Sequence, residues 1–185
     1  MKKKLMIDMD EVITDGTFRQ QIEDFLGEKI DIQKTGYFLQ EALGKRKEEF
    51  FRQKPLNMYE SSPLKKDAYE VIQNLNEKFE LYIVSSYNIP DANYQNGNHL
   101  KYKMEYLQEK LPFIAPEQII FLNKKELIAY DIIIDDIPQN LKSGKLKLLF
   151  STEMNQKIPK EELEKEKIIR VMNWKEIKQI LLEEN

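Results

Sequence analysis

The chain has 185 residues, 41% hydrophobic and 33% charged, with a formal net charge of −3, no cysteine and a single histidine. That length fits one domain with a small insertion, and the near-balanced, interspersed charge argues against partners such as nucleic acid or an anionic membrane. Without cysteine there are no disulfides, thiolate nucleophiles or zinc–thiolate sites, and His99 alone cannot build a histidine metal site or readily supply a Ser-His-Asp triad.

The basic start Met1-Lys2-Lys3-Lys4 leads straight into the apolar run Leu5-Met6-Ile7. Asp8 and Asp10 interrupt that run, so it is too short for a signal peptide or a membrane span, and a cytoplasmic location is expected. Lys4 to Ile7 reads as a buried strand. Residues 14–60 then mix helical periodicity with Gly27, Gly36 and Gly44. The stretch is too long for an ordinary connection and predicts a small helical cap, leaving 1–13 and 61–185 as the α/β core. Ser61-Ser62-Pro63 marks the start of an amphipathic helix running to Leu75. Leu81 to Val84 is the second strand, followed by Ser85-Ser86, a polar loop and a helix around 100–110, with His99 at its solvent-facing start. Further strands are expected at 119–122, 131–134, 146–150 and 168–171, and a closing helix at 174–183. The charged run Lys160 to Lys167 reads as a solvated face or loop. Strands alternating with helices predict a Rossmann-like, doubly wound parallel sheet.

Two acidic clusters end apolar runs: Asp8-Met9-Asp10 and Asp135-Asp136. Carboxylates at the C-terminal ends of such strands lie where open α/β sheets bind ligands. Four acids at one spot require a cation or a shared proton, and an all-oxygen site suits Mg²⁺. Side chains two apart on a strand point the same way, so one carboxylate can attack phosphorus while the other handles the leaving group's proton. Each signal has a plainer reading in isolation. Asp8-x-Asp10 can be a loop, Ser85-Ser86 a turn or cap, Asp135-Asp136 a helix cap. Lys125 has an immediate competitor in Lys124.

The order of the signals is more specific. Asp-x-Asp on the first strand, Ser85 at a strand end, Lys125, then Asp135-Asp136 at another strand end resembles the haloacid-dehalogenase-like (HAD) phosphohydrolases. Asp8 to Asp15, Ile83-Val84-Ser85-Ser86, the ten-residue interval from Lys125 to Asp135, Phe150 to Gln156 and Arg170 to Trp174 resemble the 5'(3')-deoxyribonucleotidases over nearly the whole chain. That resemblance implies a phosphomonoesterase in which Asp8 is the nucleophile and Asp10 the general acid and base. It implies that Ser85, Ser86 and Lys125 hold the phosphate. It implies Mg²⁺ on the Asp8 carboxylate, the Asp10 backbone carbonyl and Asp136, with Asp135 in support through water. Tyr37 and Phe38 resemble an aromatic pair that contacts the base, and uracil or thymine deoxynucleotides would be preferred. Three departures stand out: Glu11 where many members have Gly, Gly16 where some have a stacking Phe, and Met154 in place of a common His.

The same chemistry with a sugar phosphate is the second reading. A phospho-receiver domain also gathers acids, a hydroxyl and a lysine around Mg²⁺, but it carries the acidic pair on the first strand and the phosphorylated Asp on a middle one, whereas here the Asp-Asp pair comes late and an insertion follows the first strand. A non-catalytic binder is disfavoured by the presence of all four motif positions. The sequence leaves the oligomeric state open between monomer and homodimer.

Overall fold

The computed structural model describes residues 2–16, 18–36, 39–53, 57–87 and 96–183. Six parallel strands form one sheet in the order β3-β2-β1-β4-β5-β6. They are β1 (Lys4–Ile7), β2 (Glu80–Ser85), β3 (Ile119–Phe121), β4 (Tyr130–Asp135), β5 (Gly144–Phe150) and β6 (Ile168–Val171). Strands β1 and β4 are buried on both sides, which is why they read as unbroken apolar runs. Alternate residues feed two cores: Leu5, Ile7, Ile132 and Ile134 on one face, Met6 and Ile133 on the other. The order reverses between β1 and β4, whose registers match Leu5 with Ile132 and Ile7 with Ile134. Crevices at such a switch point are where doubly wound sheets bind ligands. The order also separates this chain from flavodoxin-like receiver domains, whose strands run 2-1-3-4-5.

Between β1 and β2 the described residues contain helices α1 (Phe18–Leu26), α2 (Ile32–Thr35) and α3 (Lys47–Arg52), and a 3₁₀ stretch Leu39–Arg46 bent at Gly44. Phe50, Phe51, Ile22 and Leu43 join the same apolar cluster as β1, so this helical insertion shares the core of the sheet. Where the chain leaves the sheet and returns, residues 13–15 run antiparallel to 63–65: Lys65 N donates to Ile13 O at 2.8 Å and Asp15 N to Pro63 O at 3.1 Å.

That pairing corrects one expectation. The helix predicted from Pro63 begins only at Ala68, as α4 (Ala68–Lys78). Residues 63–65 are taken up by the contact with 13–15, and Asp67 turns the chain with φ 66°. The remaining helices are α5 (Asn96–Lys110), α6 (Lys160–Lys165) and α7 (Trp174–Lys178), the last continued by a π-helical turn, Gln179–Glu183. The charged run at 160–167 is thus partly a short helix that buries Leu163. No helix among the described residues is long and apolar enough to cross a membrane.

Candidate active site

Asp8 leaves the end of β1 with its N–H still bonded to Ile134 O at 2.9 Å, which extends the β1–β4 pairing by one residue. The chain then turns back on itself: Ile13 N and Thr14 N both donate to Met9 O. Glu11 sits in this turn with φ 59°, a left-handed conformation that glycine adopts without strain. The glycine that the family resemblance implies at this position therefore has a backbone reason. The two departures in this turn are linked, since a Cβ on Gly16 would lie 2.7 Å from Glu11 Oε1. The contact is with the tip of a flexible, part-exposed side chain, which a residue at 16 would displace. Trp174 fixes the turn from the far end of the chain, donating from Nε1 to Val12 O at 2.9 Å.

Asp8, Asp135 and Asp136 are all buried, and each places a carboxylate oxygen within 4.8 Å of the others. Lys125, on the 3₁₀ turn after β3, is 3% exposed and bridges them, 2.6 Å from Asp8 Oδ1 and 2.7 Å from Asp135 Oδ2. Lys124 is exposed. Asp135 is further held by Ile137 N at 2.9 Å and Asn140 Nδ2 at 3.0 Å, so its oxygens are committed to positioning. The backbone of Asp136 is fixed through Asn155, whose Nδ2 donates to Asp136 O at 2.8 Å and to Phe150 O at 2.7 Å. Arg170 Nη1 donates to Asn155 Oδ1 at 2.8 Å. The tail residues that carried the resemblance thus act through one asparagine on the backbone of an acid in the buried cluster.

One ammonium does not neutralise three buried acids. Burial, opposed by Lys125 and reinforced by Asp135 and Asp10, pushes the Asp8 pKa up to about 7. Burial and then the charges of Asp135 and Asp8 push Asp136 well above the ordinary carboxylate range. Burial works against the charge on Lys125, but Asp135 and Asp8 outweigh it and raise its pKa. An all-carboxylate cluster short of positive charge is what a hard divalent cation needs. Asp8, Asp136 and the Asp10 carbonyl would hold it, with Asp135 behind them.

A stability prediction follows for Asp136→Asn. A carboxyl whose folded pKa is raised contributes stability in full below its unfolded pKa, and loses it as pH rises through the folded value. The asparagine variant escapes that loss. In chelator it should melt above the parent at about pH 7.5, and the difference should vanish by about pH 4. Thermal melts across that range, with and without Mg²⁺, check this. An equal or lower melting temperature at neutral pH would contradict the charge excess.

Asp10 lies in a different environment. Tyr59 donates to its Oδ1 at 2.7 Å, and Lys103 Nζ lies 2.5 Å and Ser85 Oγ 3.3 Å from its Oδ2. Burial pushes its pKa up, but the charge and hydrogen bond of Lys103 overcome that and bring it down to about 2. Ser85 is fully buried at the end of β2. The Ser86 hydroxyl turns aside to donate to Asn123 Oδ1 at 2.8 Å, while its carbonyl accepts from Lys103 at 2.5 Å. The structure therefore brings together Asp8, Asp10, Ser85, Lys125, Asp135 and Asp136. Tyr37 and Phe38 lie outside the described residues.

Sequence reasoning missed Lys103, Tyr59 and the burial of His99. His99 is 5% exposed, not solvent-facing, with its ring 5.7 Å from that of Tyr59. Burial and the nearby Lys103 charge lower its pKa to about 4. The available signal was a helical stripe: His99, Lys103, Tyr106 and Leu107 fall at i, i+4, i+7 and i+8 on α5, and all are buried.

Comparison with known proteins agrees with the geometry. The family model for "5' nucleotidase, deoxy (Pyrimidine), cytosolic type C protein" matches residues 2–184. A 5'(3')-deoxyribonucleotidase from Bacillus subtilis (strain 168) is 33% identical over 194 residues, covering 98% of this chain and 100% of that protein. A putative 5'(3')-deoxyribonucleotidase from Staphylococcus aureus (strain MSSA476) is 26% identical over 198 residues, covering 98% and 97%. The solved structure of a hydrolase from Pseudomonas syringae superposes with a TM-score of 0.50 at 12% identity, over 92% of this chain and 93% of that one, and shares the fold. With its buried acids at the switch point of the parallel sheet and a family model that matches residues 2–184, this chain belongs to the 5' nucleotidase, deoxy (pyrimidine), cytosolic type C family.

Proposed function

We propose that this chain removes phosphate from deoxyribonucleoside 5'(3')-monophosphates through an aspartyl-phosphate on Asp8, with Mg²⁺ as cofactor. The observation that carries the reading is the buried Asp8–Lys125–Asp135 bridge beside Asp136, at the crevice where β1 and β4 diverge. The names of the Bacillus and Staphylococcus relatives support the substrate class.

In this reading an Asp8 oxygen attacks phosphorus as the bond to the leaving oxygen breaks, and Asp10 gives that oxygen its proton. Water then attacks the phosphorus of the acyl-phosphate, Asp10 takes the water's proton, and Asp8 departs as carboxylate. The metal, when bound, offsets the negative charge of carboxylates and phosphate. Lys125 adds its own positive charge while holding Asp8 in line. Ser85 offers its hydroxyl proton to a phosphoryl oxygen, and Ser86, whose hydroxyl is taken by Asn123 Oδ1, offers its backbone N–H. The charge and hydrogen bond of Lys103 favour the ionised form of Asp10, and a phosphate anion beside it favours the protonated form. Residues 14–60 act as a cap that excludes water over the bound substrate. Tyr37 and Phe38 contact the base on the strength of the family resemblance.

The alternative substrate, a sugar phosphate, draws on the Glu11–Gly16 geometry. A carboxylate stands where a stacking side chain at 16 would need room, and it offers hydrogen-bond acceptors to a hydroxyl-rich leaving group. A substrate panel decides between them. With Mg²⁺, dUMP or dTMP should release phosphate faster than UMP and faster than simple sugar phosphates, and EDTA should abolish release from all of them. Undiminished turnover in chelated protein overturns the metal; best activity on a sugar phosphate promotes the alternative.

A further inference from the structure

Lys103 is the most deeply buried charged side chain among the lysines described here, at 1% exposure. Burying an ammonium costs several kcal/mol unless every N–H finds a partner. Lys103 has three N–H donors and three acceptors: Asp10 Oδ2 at 2.5 Å, Ser85 Oγ at 2.6 Å and Ser86 O at 2.5 Å. None of these is a metal-cluster carboxylate. The ammonium therefore has no donor to spare for a phosphate unless it gives up one of these bonds.

On the other side of Asp10, the Tyr59 hydroxyl donates to Oδ1 at 2.7 Å. Tyr59 is 4% exposed and its ring lies 5.7 Å from His99 and 5.6 Å from Tyr106, so α5 fixes its orientation too. One helix thus controls both oxygens of a carboxylate that is itself 44% exposed on its side chain. A half-exposed aspartate would otherwise sample several rotamers. Lys103 also sets the polarity of Ser85. A hydroxyl that accepts from an ammonium has only its own proton to donate, toward Asp10 Oδ2 at 3.3 Å or toward a phosphoryl oxygen.

We infer that Lys103 and Tyr59 are positioning residues for proton transfer: together they clamp Asp10 in the orientation from which it serves the leaving-group oxygen. The inference rests on the assignment of Asp10 as general acid and base. It makes the two residues part of the chemistry without contact to the substrate.

The test is the dependence of rate on the leaving group. A 4-nitrophenolate departs without a proton; an alkoxide, as in a nucleoside monophosphate, does not. General acid catalysis is worth roughly 10²–10⁴ in rate. Lys103→Met should therefore lose about 10²-fold in kcat on alkyl phosphates and less than about 10-fold on 4-nitrophenyl phosphate. Competitive inhibition by inorganic phosphate should stay near the parent value, because no phosphate ligand has been removed. Tyr59→Phe, which keeps the ring packing, should move the profile in the same direction by a smaller amount. It carries the test alone if Lys103→Met does not fold, as judged by circular dichroism and melting. Equal losses on both leaving groups overturn the inference, as does phosphate inhibition that weakens in step with kcat/KM. Asp10→Asn is measured alongside. If it too shows no leaving-group dependence, the failure lies in the acid–base assignment. If it does and the two clamp variants do not, the clamp alone is wrong.

Discussion

Asp8→Asn should abolish turnover, by roughly 10⁴-fold or more, while leaving a folded protein that melts no lower than the parent. The amide oxygen can still accept from Lys125, which lies 2.6 Å from Asp8 Oδ1, so the bridge to Asp135 survives in part. The amide cannot displace the leaving group at phosphorus to form an acyl-phosphate, and that is the step the mechanism needs. On stability the substitution helps. The Asp8 pKa is pushed up to about 7, first by burial, so its ionised form is disfavoured in the fold. A neutral amide removes one of three crowded charges. Loss of function without loss of stability distinguishes a chemical role from a structural one. Acid-quenching the parent during turnover should trap a species heavier by one phosphoryl group, absent in the variant. An Asp8→Asn protein retaining near-parent rates would end the covalent mechanism.

The elements most readable in the sequence are those whose cause is local. β1 and β4 are apolar on both faces, so their identity needs no knowledge of partners, and their acids fall at strand ends by chain position alone. The pairing of Asp8-x-Asp10 with Asp135-Asp136 followed from the order of the motifs, and the β1–β4 register puts the ends of those two strands side by side. The choice of Lys125 over Lys124 rested on a ten-residue interval. In the structure Lys125 is the buried one, with two carboxylates in reach.

What escaped the sequence is what depends on distant partners. Pro63 to Lys65 has helix-start chemistry, but Ile13 and Asp15, some fifty residues earlier, claim its backbone first. Tyr59 sits 49 residues from Asp10 and Lys103 sits 93 residues from it. The helical stripe shows which face Lys103 shares, but not that its ammonium can be buried, because the carboxylate, hydroxyl and carbonyl that satisfy it come from elsewhere in the chain. His99 looked solvent-facing for the same reason: its cover, the Tyr59 ring, comes from the return of the helical insertion to the sheet. The family resemblance supplied roles for the motif acids and did not reach these neighbours, because they belong to no motif.

Lys125→Met carries the second large effect, and it differs from Asp8→Asn in striking both activity and stability. The methionine preserves the aliphatic volume, so the change isolates the ammonium. Its removal leaves Asp8 and Asp135 buried with no counter-ion, and breaking a buried pair from one side costs about 3–5 kcal/mol. The low end applies, because Asp8 can take up a proton when its partner is lost. For a chain of this size about 3 kcal/mol corresponds to a fall of roughly 6–12 °C in melting temperature. Adding Asp135→Asn should recover part of that fall by removing one of the stranded charges, though Asn140 and Ile137 N still need an acceptor there. Turnover should fall at least about 10³-fold in both variants, since neither restores the lysine's positive charge beside Asp8 at the transition state. Lys124→Ala, at an exposed side chain, should stay within about 0.5 kcal/mol and within a few-fold of parent activity. Melting curves and kcat/KM for the four proteins separate the two roles of Lys125. Recovery of activity along with stability in the double variant would mean that the lysine only neutralises its aspartates and does not touch the phosphate.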